Sequence, residues 1–431
     1  MSTQVAARLH FARRARLLIA LVLLPAGFSH AAPETSLTLG DATLRTMQRN
    51  PELQVFRWRF QALDGQRYTA DQAPAWSVGL DSENVLGSGD YSKFDSAEFT
   101  LSLSSVIELG GKRGQRLAVA DSNYALAEAE QRAQALDLLG RVTQDFITTL
   151  VLQEKLKIAS EAVRLAEENQ RLVLQRVRQG AAPEAESLRA KAALSNAKME
   201  QEALSAEYSS RKMVLATAWG GQGPDFAKLS GDLFKFDAVS DFESLYQRVA
   251  AGPTIEVYAG EARLREAELQ LAQSQSVADV GWQVGVRRFE DVNESALTAG
   301  ISVPLFSGTR NRGEVQSAMA ARDEVQYRRE ASLLALRARL FEAWQAHRSS
   351  VKAVEQIRVE VLPALDKALV QTRDAYQRGR YSYIDWIAAQ KELLDARFAL
   401  IDAASTALLN QALIEQLTAE PLAEVQSLLP R

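Results

Sequence analysis

Cysteine is absent from all 431 residues. The chain therefore has no disulfide framework, no thiolate metal site and no cysteine at which a cleaved leader could be lipidated. Histidine is nearly as scarce: His10 and His30 fall close to the N-terminus, and only His347 lies beyond them. Imidazole metal sites and Ser-His-Asp chemistry have almost no raw material here. Met47, Met199, Met213 and Met319 are widely spread, so no soft-ligand cluster exists to hold copper, silver or zinc. No phosphate loop, metal motif or nucleophile–base pair is found, which argues against an enzyme and against a bound cofactor. Past the N-terminus no stretch approaches the ~20 consecutive apolar residues of a membrane helix. A membrane function must therefore run through β-strands or partners. Nor is there a basic surplus, with 50 Lys and Arg against 54 Asp and Glu, and phosphate neutralisation by clustered cations, hence a nucleic-acid partner, is excluded.

What is present begins with a leader. Arg8, Arg13, Arg14 and Arg16 form a basic region, Leu17 to Leu24 is a short apolar run, and Ser29-His30-Ala31 offers small residues where a signal peptidase reads. Residues 1–31 are predicted to be a signal peptide. Their removal takes four arginines and no acid, leaving a formal net charge of −8 from the −4 of the whole chain.

The rest reads as one pattern written twice: helix, two strands, long helix, helix. The first copy spans 32–219 and the second 241–418, joined by a linker at 220–240 and followed by a tail at 419–431. Each copy opens with a helix that a proline should break, at Asn50-Pro51 and at Gly252-Pro253. Two alternating segments follow in each. Trp76, Val78 and Leu80 alternate with polar or small residues, as do Phe99, Leu101 and Leu103; in the second copy Val280, Trp282, Val284 and Val286, then Leu297, Ala299, Ile301 and Val303, do the same. A period of two gives each strand one apolar and one polar face. From Gly114 to Gly180 is 66 positions, and from Gly313 to Gly379 is also 66. Between these glycines lies almost unbroken helix former, enough for about 100 Å of helix, with apolar residues at steps of three and four that supply a packing stripe. Return helices are expected over Glu184 to Trp219 and Tyr383 to Thr418.

Four strands are too few for a sandwich core, and isolated hairpins are marginal in water. In lipid an open sheet edge leaves backbone groups unpaired at several kcal/mol each. Three copies would close a barrel of roughly twelve strands, inside the range of outer-membrane barrels. The fold class expected is mainly α with a small β part: duplicated long α-helical hairpins forming a coiled-coil α-barrel, plus four strands per chain contributing to a trimeric transmembrane β-barrel. The loops at Val85 to Ser96 and Glu290 to Glu294 would lie at its outer end. A soluble periplasmic coiled-coil adaptor is the competing class, although adaptors usually carry one helical hairpin and this pattern has two.

This order, together with Asn50-Pro51, the run Tyr376-Gln377-Arg378-Gly379-Arg380-Tyr381-Ser382-Tyr383-Ile384-Asp385 and the following Ala389-Gln390, resembles the TolC-like outer-membrane factors of tripartite efflux and type I secretion systems. Within them Glu108-Leu109-Gly110-Gly111-Lys112-Arg113 looks like the CzcC group, which serves resistance-nodulation-division pumps exporting heavy-metal cations. The resemblance implies a homotrimeric conduit in the outer membrane, extending into the periplasm, with a periplasmic adaptor and an inner-membrane pump of that class as partners and no chemistry of its own. Drug efflux and type I protein secretion remain open as cargo classes. The resemblance also implies a gate. Its first-tip carboxylate falls on Glu186, its tyrosine on Tyr376 and its constricting aspartate on Asp385. The family's arginine position falls on Tyr381 and its second aspartate on Ala388, so the gate is expected to be either weaker or wired differently, through Arg380. Tips at Gly180, Ala181, Gly379 and Arg380 would meet the adaptor. An acid such as Asp385 in the first turn of a helix is also explained by the helix dipole alone.

Overall fold

The computed structural model describes residues 34–238 and 240–420. The leader at 1–31 and the tail beyond 420 lie outside the described residues. Along the chain run β1 (Glu34–Leu37), α1 (Leu39–Arg49), α2 (Pro51–Ala70), β2 (Ser77–Glu83), β3 (Glu98–Ile107), α3 (Lys112–Arg178), α4 (Glu184–Thr217) and β4 (Phe226–Leu229). Then come α5 (Phe242–Ala250), α6 (Pro253–Gln275), β5 (Val280–Phe289), β6 (Glu294–Ser302), a short α7 (Ser307–Arg310), α8 (Arg312–Gln356), a π-helical segment (Ile357–Val361), α9 (Leu362–Gln377) and α10 (Tyr383–Leu417). The chain is mostly helical with a small sheet part.

Both proline pairs divide their helices. Asn50 is extended, its side-chain oxygen accepts the Glu52 N–H at 2.7 Å, and Pro51 occupies the first helical position. Pro fits there because its missing N–H is one the helix could not have used. The buried Asn50 also donates from Nδ2 to the Ala218 carbonyl at 2.7 Å, tying the start of α2 to the end of α4. Gly252-Pro253 separates α5 from α6 in the same way.

Six strands are present among the described residues, two more than the four read from the sequence. The extra pair is β1 and β4, parallel, with Glu34 opposite Phe226 and Leu37 opposite Leu229. Four-residue strands are too short for a period of two to show. Their pairing brings Leu37, Phe226, Leu229 and Leu233 into the largest apolar cluster, with Val142, Phe146 and Leu150 of α3, Leu215 of α4 and Ile401 of α10. Each such side chain contributes roughly 1.5–3 kcal/mol on burial, so the segment at 220–240 is a belt packed around the middle of the helices.

α3 passes through this belt and changes neighbours across it. On the sheet side it packs on α2 and α6; on the far side it packs on α4 and α10, while α8 packs on α6 and then on α10. No helix among the described residues is long and apolar enough to cross a membrane.

Candidate functional site

Two features carry the candidate function, a sheet at one end and paired helix tips at the other. The four longer strands form one antiparallel sheet in the order β2-β3-β5-β6. Its register aligns like with like. Leu80, Leu101, Val286 and Leu297 form one row across all four strands, and Val78, Leu103, Val284 and Ala299 form another. On the opposite face Gly79, Ser102, Gly285 and Thr298 form a row, followed by Asp81, Thr100, Arg287 and Ala296. Arg287 reaches Glu98 at 2.9 Å and Glu83 at 3.0 Å and donates to the Thr100 hydroxyl at 2.9 Å. The apolar face stays open: Leu80 is 73% exposed, Leu297 87% and Ile301 79%. β2 and β6 each have a single strand neighbour, so both outer edges of the sheet carry unpaired backbone groups. Because Glu83 pairs with Glu98 and Glu98 with Phe289, the loop after β2 and the turn after β5 sit at the same end.

At the other end of the sheet the run from Glu108 to Arg113 forms the joint with α3. Gly110 and Gly111 both have φ near +70°, and a Cβ on Gly110 would crowd Val277. Lys112 pairs with Asp279 at 2.7 Å, the Leu109 N–H donates to the same carboxylate at 3.0 Å, and Arg116 is paired in two-pronged fashion with Glu108. The partner residue Asp279 carries no sequence signal of its own.

The long helices end in two matching turns. Gly180 and Gly379 adopt left-handed backbone, at φ +71° and +72°. The Ala181 N–H bonds back to the Arg176 carbonyl at 2.9 Å, and the Arg380 N–H bonds back to the Ala375 carbonyl at 2.8 Å. This is the glycine-terminated helix end in which the residue after glycine satisfies a carbonyl left orphaned one turn earlier. Gly180, Ala181, Gly379 and Arg380 are all exposed.

Behind the turns lies a small aromatic core of Val173, Ala190, Tyr376, Tyr383 and Trp386. Tyr376 stacks on Trp386 at 5.0 Å between centroids. Its hydroxyl donates to Glu186 Oε2 at 2.9 Å, so the structure brings together these two residues from different halves of the chain. Burial first, then the bond to the Glu186 carboxylate, push the Tyr376 phenol well above its usual range; burial also raises the Tyr383 phenol.

The cation in this cluster is Arg176, which the sequence reading did not single out. Its guanidinium lies 4.6 Å from the Tyr376 ring centroid. It donates to the Tyr376 carbonyl at 2.7 Å, the Gln377 carbonyl at 3.2 Å and the Ala181 carbonyl at 3.1 Å, bridging both turns. Arg380 and Tyr381 are exposed and do not belong to this cluster, and no hydrogen bond or ion pair holds the Arg380 guanidinium among the described residues. An arginine on a helix full of arginines gives no local cue; only the fold places it against the other turn.

Asp385 is also exposed. Its Oδ2 accepts from the Ser382 N–H at 3.0 Å and the Ser382 hydroxyl at 2.7 Å, while its own N–H bonds to the Ser382 oxygen, a reciprocal cap on α10. The hydroxyl bond holds its carboxyl below the usual carboxylate range. Buried polar residues behind the tip include Asn169 and Gln390, which are hydrogen-bonded to each other, Gln390 belonging to the Ala389-Gln390 pair. No group of three or more His, Cys, Asp or Glu side chains among the described residues is arranged to hold a metal ion.

Residues 45–221 match the family described as "Outer membrane efflux protein". The cobalt-zinc-cadmium resistance protein CzcC of Cupriavidus metallidurans is 26% identical over 298 residues, 69% of this chain and 71% of the relative. The nickel and cobalt resistance protein CnrC of the same organism is 27% identical over 307 residues, covering 68% and 69%. Among solved structures, one of CusC superposes with a TM-score of 0.74 at 16% identity, over 90% of this chain and 93% of that one. The resemblance read from the sequence, to the outer-membrane efflux family and within it to the CzcC group, is borne out.

Proposed function

We propose that this chain, a relative of the outer membrane efflux proteins, is one subunit of a trimeric conduit that carries heavy-metal cations out of the cell. The observation that carries this reading is the sheet register, with its unbroken apolar rows on one face, polar rows on the other and two open edges. A sheet of that kind is stable in a bilayer only if its edges are closed. Three copies joined β2 to β6 supply roughly twelve strands, with the apolar face to lipid and the Arg287 face to the lumen. Strands of ten residues, such as β3 and β5, suit a tilted crossing of the hydrocarbon core. The helices then hang into the periplasm, and their tips meet a periplasmic adaptor and an inner-membrane pump of the resistance-nodulation-division class.

The cargo class is supported by the named relatives, which are resistance proteins for cobalt, zinc and cadmium and for nickel and cobalt. A conduit needs no affinity for what passes through it. In the assembled subunit Tyr376 and Glu186 hold the tip closed with Arg176, the exposed turns at Gly180, Ala181, Gly379 and Arg380 receive the adaptor, and three Asp385 carboxylates face the narrowing. Tyr381 lies beside them on the same exposed turn.

The reading is tested by extraction in mild detergent. The protein should sediment at three times its monomer mass, and a strain lacking it should accumulate zinc, cobalt or cadmium until the gene is restored. A monomer stable in buffer with its sheet edges satisfied internally would refute the conduit.

A further inference from the structure

The polar face of the four-stranded sheet is not uniform along its length. The rows nearest the helices carry no charge: Ser77, Ser104, Gln283 and Gly300 align, and Gly79, Ser102, Gly285 and Thr298 follow. Charge enters only in the two rows at the loop end. There Asp81, Glu83, Glu98 and Glu294 supply carboxylates, and Arg287 is the one cation on that face of the described strands. Its neighbour Arg288 falls on the apolar face by the alternation of the strand.

The register sets a problem that Arg287 answers. Glu83 on β2 stands directly opposite Glu98 on β3, and like charges facing each other across an antiparallel pair repel. Arg287 on β5 stands one row inward, opposite Thr100. Its Nη1 lies 3.0 Å from a Glu83 oxygen and 2.9 Å from Glu98 Oε2, and its Nε donates to the Thr100 hydroxyl at 2.9 Å. The Asn84 amide donates to the other Glu98 oxygen at 2.9 Å. Carboxylate oxygens from two strands thus converge on a single nitrogen, with a hydroxyl beside them. Such oxygens are what hard divalent cations take as ligands. Here a guanidinium, which keeps its proton in proteins, stands in their midst.

We propose that Arg287 is a specificity-determining residue of the outer mouth: a tethered counter-cation that fills the cradle between Glu83 and Glu98 and denies it to divalent cations moving past. This rests on the conduit reading, which turns the face toward the lumen and puts divalent metal in the stream. A pore conducts when cations are drawn in and are still free to leave. Asp81 and Glu294 serve the first requirement. Arg287 serves the second, at the place where two opposed carboxylates would otherwise hold the ion.

The test uses the full chain in mild detergent, titrated calorimetrically with zinc ion, and the same protein in planar bilayers with zinc added on the outer side. Arg287→Gln should bind zinc at least about tenfold more tightly than wild type, since affinity for such cations follows the net charge of the ligands. Adding Glu98→Gln should abolish the gain, and Arg287→Lys, which keeps the charge, should show no more than a small part of it. Zinc concentrations that leave the wild-type current intact should block Arg287→Gln, and Glu98→Gln should relieve the block. Arg287→Thr, a good strand former, takes the place of the glutamine variant should that one fail to assemble. Zinc affinity equal to wild type, or a gain that survives Glu98→Gln, overturns the counter-cation. A conducting Arg287→Gln pore with the wild-type response to zinc overturns its role in passage. Should the site appear as expected while no form of the protein conducts, wild type included, the conduit reading fails and the clamp on Glu83 and Glu98 stands.

Discussion

Gly114 and Gly313 are 199 positions apart, and so are Gly180 and Gly379. The same offset compares the two halves residue by residue, and the chemistry at matched positions has diverged where the backbone has not. Arg176, which bridges the two turns, is matched by Ala375; Gly140, buried in the middle of α3, is matched by the exposed Arg339. The lesson is a division of labour. The first half supplies a continuous helix and the reaching cation, while the second supplies the aromatic core it reaches to and the interrupted helix that carries it.

The largest break in that arrangement should come from Trp386→Ala. Trp386 is 2% exposed and stacks on Tyr376, and emptying a buried indole typically costs about 3–5 kcal/mol. Hydrogen exchange should show loss of protection at both turns, with the belt around Phe146 and Leu215 unaffected. Equal loss in the belt would mean that the tip is not a separate cooperative unit. Next in size is Gly140→Val. A side chain there collides with Gln416, which donates to Asp137 at 2.9 Å. Overpacking of this kind costs roughly 1–3 kcal/mol, more than the few tenths that valine gains over glycine in a helix. At the matched position Arg339→Val should move thermal stability by no more than about 0.5 kcal/mol. If both substitutions behave alike, the close approach of α10 to α3 is not what sets the helix crossing.

How far the sequence reaches is visible in the same contrasts. The strands were legible because alternation survives in each segment by itself, and the helix ends because glycine at a left-handed position follows from local backbone energetics. What could not be read locally is whatever depends on a partner remote in sequence. β1 and β4 are 4 residues each and pair residues 192 positions apart, Leu37 opposite Leu229, and neither is long enough to announce a period. The sheet order, with β3 beside β5, joins the halves without a motif. Arg176 is one of many arginines on its helix, and its choice as the bridging cation is made by the 200 positions of chain that return Tyr376 to it. The resemblance implies a cation on the second turn and so points to Arg380, whereas the bridging guanidinium comes from the first half.

Smaller effects sharpen the comparison through titration. Burial and the Glu186 bond raise the Tyr376 phenol above its ordinary value. A group whose folded pKa is raised contributes stability that is complete below its unfolded pKa near 10 and is lost as pH rises through the folded value. The tip should therefore loosen only in strong alkali. Phenolate absorbance should show a late-titrating tyrosine that disappears in Tyr376→Phe and titrates earlier in Glu186→Ala.

The smallest effect on stability should come from Asp385, and it separates two acids that occupy matched positions. Glu186 and Asp385 are 199 apart, yet Glu186 accepts a hydroxyl from the opposite half while Asp385 closes its own helix through Ser382. Its carboxyl is held low by that serine, so its capping contribution is present above the unfolded pKa of 3.8 and fades only as pH falls through the lower folded value. At neutral pH, Asp385→Ala should leave the Tyr376 titration untouched, unlike Glu186→Ala. In planar bilayers the same substitution should weaken cation preference, since three carboxylates around an axis favour cations over anions. Unchanged selectivity would confine Asp385 to its cap and leave cation preference to the acids of the lumen, beginning with Glu83 and Glu98 beside Arg287.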